Sequence, residues 1–320
     1  MAARSPSIIR RSLLYVPASS QKMLAKSLAI PSDNVTYDLE DSVTPSLKSA
    51  ARDQLRSHLT NLGSGTRAFG ELAVRINAVS TSHALQDLTS LVASPNLDAV
   101  VVPKVESAAD LTFVTDVLRH TAPERHQPSS GNAIKIIALI ESARAIMNLG
   151  EICKATPQLS GLIFAAEDFA LDLSLTRTPS LREFLYARSA IVTAARAASL
   201  PSSIDLVCTS FRGEPGLKTL ADECEDGKAL GFNGKQCIHP SQLDVVHRLF
   251  SPSDRELEWA ARILVANEKA VHQGRGAWTM DGSMIDAPVI GKAAAIAERA
   301  TKCGIQMGKV LEKWSHQEPE

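Results

Sequence analysis

Three acids stand directly after apolar runs in the middle of the chain. Glu141 follows Ile136-Ile137-Ala138-Leu139-Ile140, and Glu167 and Asp168 follow Leu162-Ile163-Phe164-Ala165-Ala166. Carboxylates at the ends of neighbouring strands can share a hard cation. Mg2+ takes one or two carboxylates, several waters and substrate oxygens. The same acids can instead cap the helices that follow, Glu141 ahead of Ser142 and Asp168 ahead of Phe169. Arg75 ends another apolar stretch, Val74-Arg75-Ile76-Asn77. A guanidinium there is costly unless paired or aimed at an anion, and its fork suits a carboxylate bidentately. A salt bridge to Asp38 or Glu40 would satisfy it equally. Asp38, Glu40 and Asp41 place acids on both faces of one strand end. With Lys104 they can support an ion by hydrogen-bonding its waters or by orienting Arg75; alternatively they form a solvated turn. Lys22 and Lys26, one helical turn apart, can meet phosphates or be surface residues.

Other chemistries fail on spacing. Gly231-Phe232-Asn233-Gly234-Lys235 is followed by Gln236 instead of Ser or Thr, so it is no phosphate-binding P-loop. There is no H-E-x-x-H and no G-x-S-x-G. The 34 Lys and Arg against 35 Asp and Glu leave a net charge of -1, without the basic excess of a nucleic-acid binder. No apolar run approaches the roughly 18 residues of a membrane span. The five cysteines, widely spaced and odd in number, read as reduced thiols. The expected setting is soluble, cytoplasmic or mitochondrial. Arg4, Arg10 and Arg11, with no acid in that stretch, resemble a short mitochondrial leader.

The elements that must position these residues alternate. Short β-rich runs lie at Ser12–Val16, Val35–Leu39, Leu72–Ile76, Ala99–Val102, Ile134–Ile140, Leu162–Ala165, Ile204–Val207 and Ala229–Phe232. Helical patterns between them include Pro45–Leu62, Ala108–Arg119, Ala143–Cys153, Leu181–Ala198 and Glu214–Lys228. Strand alternating with helix means a parallel sheet, and eight such units fit a (β/α)8 barrel. A doubly wound sheet would carry a glycine-rich first turn, and Pro17-Ala18-Ser19-Ser20 is not one. In a barrel the charged strand ends converge on one face. The division expected is a tail or leader over residues 1–9, a catalytic barrel over 10–250, a helical extension over 251–314 and a frayed tail over 315–320. Within the extension, a helix over Pro252–Gln273 precedes a final helix through about Leu311.

Arg11-Ser-Leu-Leu-Tyr-Val-Pro17, Tyr37-Asp-Leu-Glu-Asp-Ser-Val43, Val74-Arg-Ile-Asn77, Val102-Pro-Lys-Val-Glu-Ser107, Ala166-Glu-Asp-Phe-Ala170 and Gly231-Phe-Asn-Gly-Lys-Gln-Cys-Ile-His-Pro240 run in order along the chain. Together they resemble the citrate lyase beta-subunit-like family. The resemblance implies a (β/α)8 barrel that binds Mg2+, with Mn2+ as a substitute, and acts on acyl-CoA thioesters. Glu141 and Asp168 fall on the metal ligands and Arg75 on the substrate arginine. The amides at Glu167-Asp168 fall where the substrate carboxylate is held, and Lys22, Lys26, Ile238, His239 and Pro240 near the CoA site. Gly282-Ser-Met-Ile-Asp-Ala-Pro288 resembles the extension of malyl-CoA and citramalyl-CoA lyases, whose matching aspartate, here Asp286, reaches a neighbouring subunit's active site. This implies a homo-oligomer, a trimer by family habit. The alternative for Asp286 is a helix cap ahead of Pro288. One departure stands out: Val207-Cys-Thr-Ser-Phe-Arg-Gly213 lacks the aspartate that the family often has there.

The implied reaction is a retro-Claisen cleavage of citramalyl-, malyl- or β-methylmalyl-CoA, with Asp286 and Arg75 catalytic. A CoA-independent 2-oxo-acid aldolase and a citrate lyase beta-type subunit working in a complex are the alternatives.

Overall fold

The computed structural model describes residues 8–63, 65, 67–127 and 130–320. Most of the leader-like stretch, and Pro128 and Ser129, lie outside them. Eight parallel strands close into a barrel in chain order: β1 (Ser12–Pro17), β2 (Asn34–Asp38), β3 (Glu71–Arg75), β4 (Ala99–Val102), β5 (Lys135–Ile140), β6 (Leu159–Phe164), β7 (Ser202–Asp205) and β8 (Gly234–Cys237). β8 pairs back onto β1. The intervening helices are α1 (Gln21–Ser27), α2 (Lys48–Thr60), α3 (His83–Leu91), α4 (Ala108–Thr121), α5 (Ala143–Met147), α6 (Leu149–Ile152), α7 (Ala166–Leu173), α8 (Leu185–Ala197), α9 (Gly213–Leu230) and α10 (Leu243–Phe250). The (β/α)8 expectation therefore holds, and a doubly wound sheet does not. No described helix is long and apolar enough to cross a membrane.

The barrel interior is layered. Side chains alternate along each strand, so the register sends Leu13, Ala73, Ala99, Val101, Ile137, Leu139, Ile163 and Ile204 into a dry middle. The amino end is closed by a polar plug. Arg10 donates from Nε and Nη2 to both Glu71 oxygens at 2.7 Å, and to the carbonyl and Oγ of Ser160 at 2.9 Å. Asn34 Nδ2 adds a third donor to Glu71 at 2.6 Å. A register shift between Ile136 and Ile137, opposite the start of β6, marks an irregularity where Ser160 meets Arg10. Gly234 is required beside it, because a Cβ there would lie 1.8 Å from the Arg10 carbonyl. Burial pushes the Glu71 carboxyl up, but Arg10 outweighs burial and holds it below the usual range. Arg11 forms its own fork with Asp33 at 2.8 Å. Two of the three arginines behind the leader reading thus serve as barrel struts.

The sequence misplaces the eighth strand. Ala229 and Leu230 end α9, and Gly231 closes that helix at φ 100 in the left-handed region. The strand starts three residues later, so Lys235 is buried against Glu223 at 3.0 Å and not at the barrel mouth. The helix expected over Ala143–Cys153 breaks at Asn148, whose Nδ2 donates to the Glu106 carbonyl at 2.8 Å.

The chain divides into two compact units, Arg10–Val246 and His247–Glu320, the latter with Ile8 and Ile9. The second unit holds α11 (Asp254–His272), the hairpin β9 (Trp278–Met280) and β10 (Ser283–Ile285), α12 (Ala287–Lys302) and α13 (Met307–Lys313). The expected final helix splits at Gly304 (φ 78). Asp281 and Gly282, both at positive φ, form the tight hairpin turn. Residues 315–320 are not frayed. Thr279 and Glu320 exchange backbone hydrogen bonds at 3.1 and 3.0 Å, and Lys269 pairs with Glu318 at 2.5 Å. An exposed β9 edge gives the tail a partner that a sequence pattern does not reveal.

Glu71→Ala should lower the unfolding free energy of the full chain by about 3–5 kcal/mol in urea titration, because Arg10 is left buried without a counter-charge. A loss below about 1 kcal/mol would show the plug to be dispensable.

Candidate active site

Asp38 closes β2 and points inward; its oxygens accept from the Glu40 amide at 2.9 Å and the Ser42 amide at 3.1 Å. Those bonds form the turn that carries Glu40 and Asp41. Arg75 closes β3 on the same face and grips Asp38 bidentately, Nε and Nη2 each at 2.7 Å. Its Nη1 lies 3.0 Å from Glu40 and 3.5 Å from Asp41. The salt-bridge alternative for Arg75 is thus realised within the chain. Burial pushes the Asp38 carboxyl up, and the Arg75 bonds and charge carry it below the usual carboxylate range.

The guanidinium rests over the Tyr15 ring at 4.7 Å, a cation–π contact. The Tyr15 hydroxyl donates to Gln236 Oε1 at 3.0 Å, and Gln236 Nε2 donates to the Phe164 carbonyl at 2.8 Å. These two residues floor the site, and sequence reasoning missed both. The period-two position of Tyr15 in β1 could have found it, but Gln236 was hidden by the misplaced eighth strand.

Glu141 follows β5 and is 4% exposed. It accepts from the Lys104 amide at 2.9 Å. Burial pushes its carboxyl up to about 7, and the charges of Glu40 and Asp168 push the same way. Lys104 presents that amide from φ 50, an uncommon conformation for a side-chain-bearing residue, costing about 1–3 kcal/mol. Its Nζ donates to Glu40 at 2.5 Å and lies 3.9 Å from Asp41 and 4.0 Å from Asp168.

Neither acid caps a helix as the competing reading supposed. Ser142 caps α5, and Asp168 sits inside the first turn of α7. The N-cap of α7 is Ala165, which has no capping side chain, so the first amides of the helix lack that partner. Glu167 turns to an ion pair with Arg177, which also bonds Glu223 at 2.7 Å and the Val207 carbonyl at 3.1 Å. Arg177 too went unnoticed in the sequence.

One face therefore gathers Asp38, Glu40, Asp41, Glu141 and Asp168, five carboxylates, around two cations, Arg75 and Lys104. Among the described residues no three His, Cys, Asp or Glu side chains form a closed metal cage. An open pair of carboxylates is what a magnesium ion with its waters accepts, and the excess of negative charge together with the raised Glu141 fits such an ion.

The remaining predicted residues lie elsewhere. Lys22 and Lys26 are exposed on α1. Ile238, His239 and Pro240 follow β8 and are also exposed; the His239 ring stacks on Phe211 with centroids 5.0 Å apart. Asp286 belongs to the second unit, where its side chain accepts from the Val289 amide at 3.3 Å and caps α12.

A family model described as HpcH/HpaI aldolase/citrate lyase matches residues 11–240. The chain belongs to this family. A second model, for carbon–carbon bond lyases of the TIM-barrel fold, matches residues 188–305. The citrate lyase beta subunit of Haemophilus influenzae is 36% identical, over 93% of this chain and 99% of that one. The human mitochondrial citramalyl-CoA lyase is 34% identical, over 92% and 86%. A solved Mycobacterium tuberculosis CitE structure, in complex with magnesium, acetoacetate and coenzyme A, superposes with a TM-score of 0.72 at 32% identity, over 92% and 98%.

The raised Glu141 fixes the sign of a pH effect. A carboxyl whose folded value lies above its unfolded value of 4.5 stabilises fully below pH 4.5 and loses that contribution as pH rises through 7. In EDTA, the wild-type unfolding free energy should fall relative to Glu141→Gln between about pH 4.5 and 7, by up to about 3 kcal/mol, and level off above. Parallel profiles for the two proteins would contradict the assignment.

Proposed function

We propose that the chain is a magnesium-dependent carbon–carbon lyase that cleaves a 3-hydroxyacyl-CoA thioester of the citramalyl- or malyl-CoA type. The observation that carries it is the buried Glu141 beside Asp168 in a carboxylate cluster short of positive charge. The citramalyl-CoA lyase relative, and the neighbour that holds magnesium and coenzyme A, support the same reading.

Glu141 and Asp168 would hold the ion, with Mn2+ as a substitute. When bound, it supplies Lewis acidity toward a carboxylate and the adjacent hydroxyl oxygen. The uncapped amides of α7, at Glu167 and Asp168, receive the substrate carboxylate. The bond between the hydroxyl-bearing carbon and the carbon next to the thioester then breaks. The hydroxyl gives its proton to water at the open barrel mouth and becomes the carbonyl of pyruvate or glyoxylate, and Asp286 takes up a proton from the same solvent before each turnover. The electron pair left behind forms the thioester enolate, whose charge Arg75 offsets from its fixed seat between Asp38 and Tyr15. Asp286, supplied by a neighbouring subunit of a homotrimer, protonates that carbon to give acetyl-CoA or propionyl-CoA. Lys22 and Lys26 meet the CoA phosphates, and Ile238, His239 and Pro240 border the same approach. The human relative is named mitochondrial, and a mitochondrial or cytoplasmic setting suits both the cysteines and the substrate.

The second reading, a citrate lyase beta-type subunit, is favoured by the 36% identical relative. Chain length does not separate the two, since that subunit matches 93% of this chain. Citramalyl- and malyl-CoA differ by one methyl, worth about 1–3 kcal/mol in a pocket, so assay must name the substrate.

The purified chain should release acetyl-CoA from racemic citramalyl-CoA or malyl-CoA with Mg2+ and not with EDTA. No release from either by the folded, Mg2+-saturated protein would overturn the lyase reading in favour of the CoA-independent aldolase or the complex-bound subunit. Asp286→Ala should lower kcat by about 10^2–10^4 while leaving the Mg2+ dissociation constant unchanged. Co-expression of Asp286→Ala with Glu141→Gln should restore part of the activity, since mixed trimers contain some intact sites. Equal loss of turnover and metal affinity in Asp286→Ala would remove the acid from its role.

A further inference from the structure

Lys104 touches both halves of the carboxylate cluster by separate routes. Its peptide N–H, presented from the left-handed region at φ 50, donates to Glu141 Oε1 at 2.9 Å. Its ammonium donates to Glu40 Oε1 at 2.5 Å and stands 4.0 Å from Asp168 Oδ1. Glu40 divides its carboxylate between the two cations of the site, Oε1 to Lys104 and Oε2 to Arg75 at 3.0 Å. Arg75 is committed to Asp38 by two bonds, so Lys104 is the more loosely committed positive charge.

We propose that Lys104 is a positioning residue that sets the site's affinity for its divalent cation, its ammonium competing for Asp168 and Glu40 holding that ammonium aside. The inference rests on the magnesium reading above. An ammonium 4.0 Å from one of the two metal ligands repels an incoming divalent ion and shares its carboxylate. The same ammonium favours the anionic substrate. Its removal therefore has opposite effects on two ligands: the cation binds tighter and a 2-oxo acid binds weaker. A residue of purely structural importance would weaken both.

Lys104→Gly keeps the left-handed backbone accessible and removes the ammonium; Lys104→Met removes the charge but keeps a long side chain. In calorimetric titration of the full-length protein with Mg2+ at low ionic strength, both variants should bind about 3–10-fold tighter than wild type. The gap should narrow as salt is added, and pyruvate should bind the Mg2+-saturated variants more weakly. Glu40→Gln should weaken Mg2+ binding in the wild-type background and do so less in Lys104→Gly. Unchanged or weaker Mg2+ binding by both folded Lys104 variants, or an equal Glu40→Gln effect in both backgrounds, would overturn the inference alone. Absence of Mg2+ binding by the wild-type protein would overturn the metal reading and this inference together.

Discussion

Like charge crowded at the mouth of a dry barrel is the constraint on which the rest depends. Five carboxylates meet two cations there, and three of them, Asp38, Glu40 and Glu141, are buried; Glu141 is the one of these that neither Arg75 nor the Lys104 ammonium pairs directly. Such a cluster persists only if the scaffold holds it or a further cation joins it. The scaffold's answer is rigidity. Arg75 is pinned by two bonds to Asp38 and a ring contact with Tyr15, Tyr15 is pinned by Gln236, and Gln236 is pinned by the backbone of β6. The opposite end of the barrel is sealed by Arg10 and Glu71, whose charges balance within the plug. The two polar ends are separated by a layer of Leu, Ile, Val and Ala side chains. One end is electrically closed, while the other is left short of positive charge.

Much of this was legible in the sequence because strand ends in a barrel converge whatever the exact strand boundaries. Glu141, Asp168, Arg75, Asp38 and Glu40 follow apolar runs, and that placement alone brings them to one face. What escaped depends on long-range partners or on local competition. Ala229–Phe232 is apolar and short, so it reads as a strand as easily as the end of α9; Gly231 at positive φ decides for the helix. Arg10 and Arg11 look like leader residues until Glu71 and Asp33, distant in sequence, pair with them. Lys104 at φ 50 has no sequence signature, since nothing in Pro103-Lys104-Val105 demands a left-handed backbone. Asp286 is a helix cap within one chain, and the catalytic role proposed for it would depend on a second subunit.

The relatives include proteins named citramalyl-CoA lyase and proteins named citrate lyase subunit beta. The proposed site, an ion beside Glu141 and Asp168 with Arg75 nearby, is compatible with either name. Under either name, the proposed divalent ion would offset the excess negative charge.

Anomalous diffraction from crystals soaked in Mn2+ tests that claim most directly. One strong peak within bonding distance of both Glu141 and Asp168 is expected. A saturating soak with no peak between them, or with its only peak elsewhere, would contradict it.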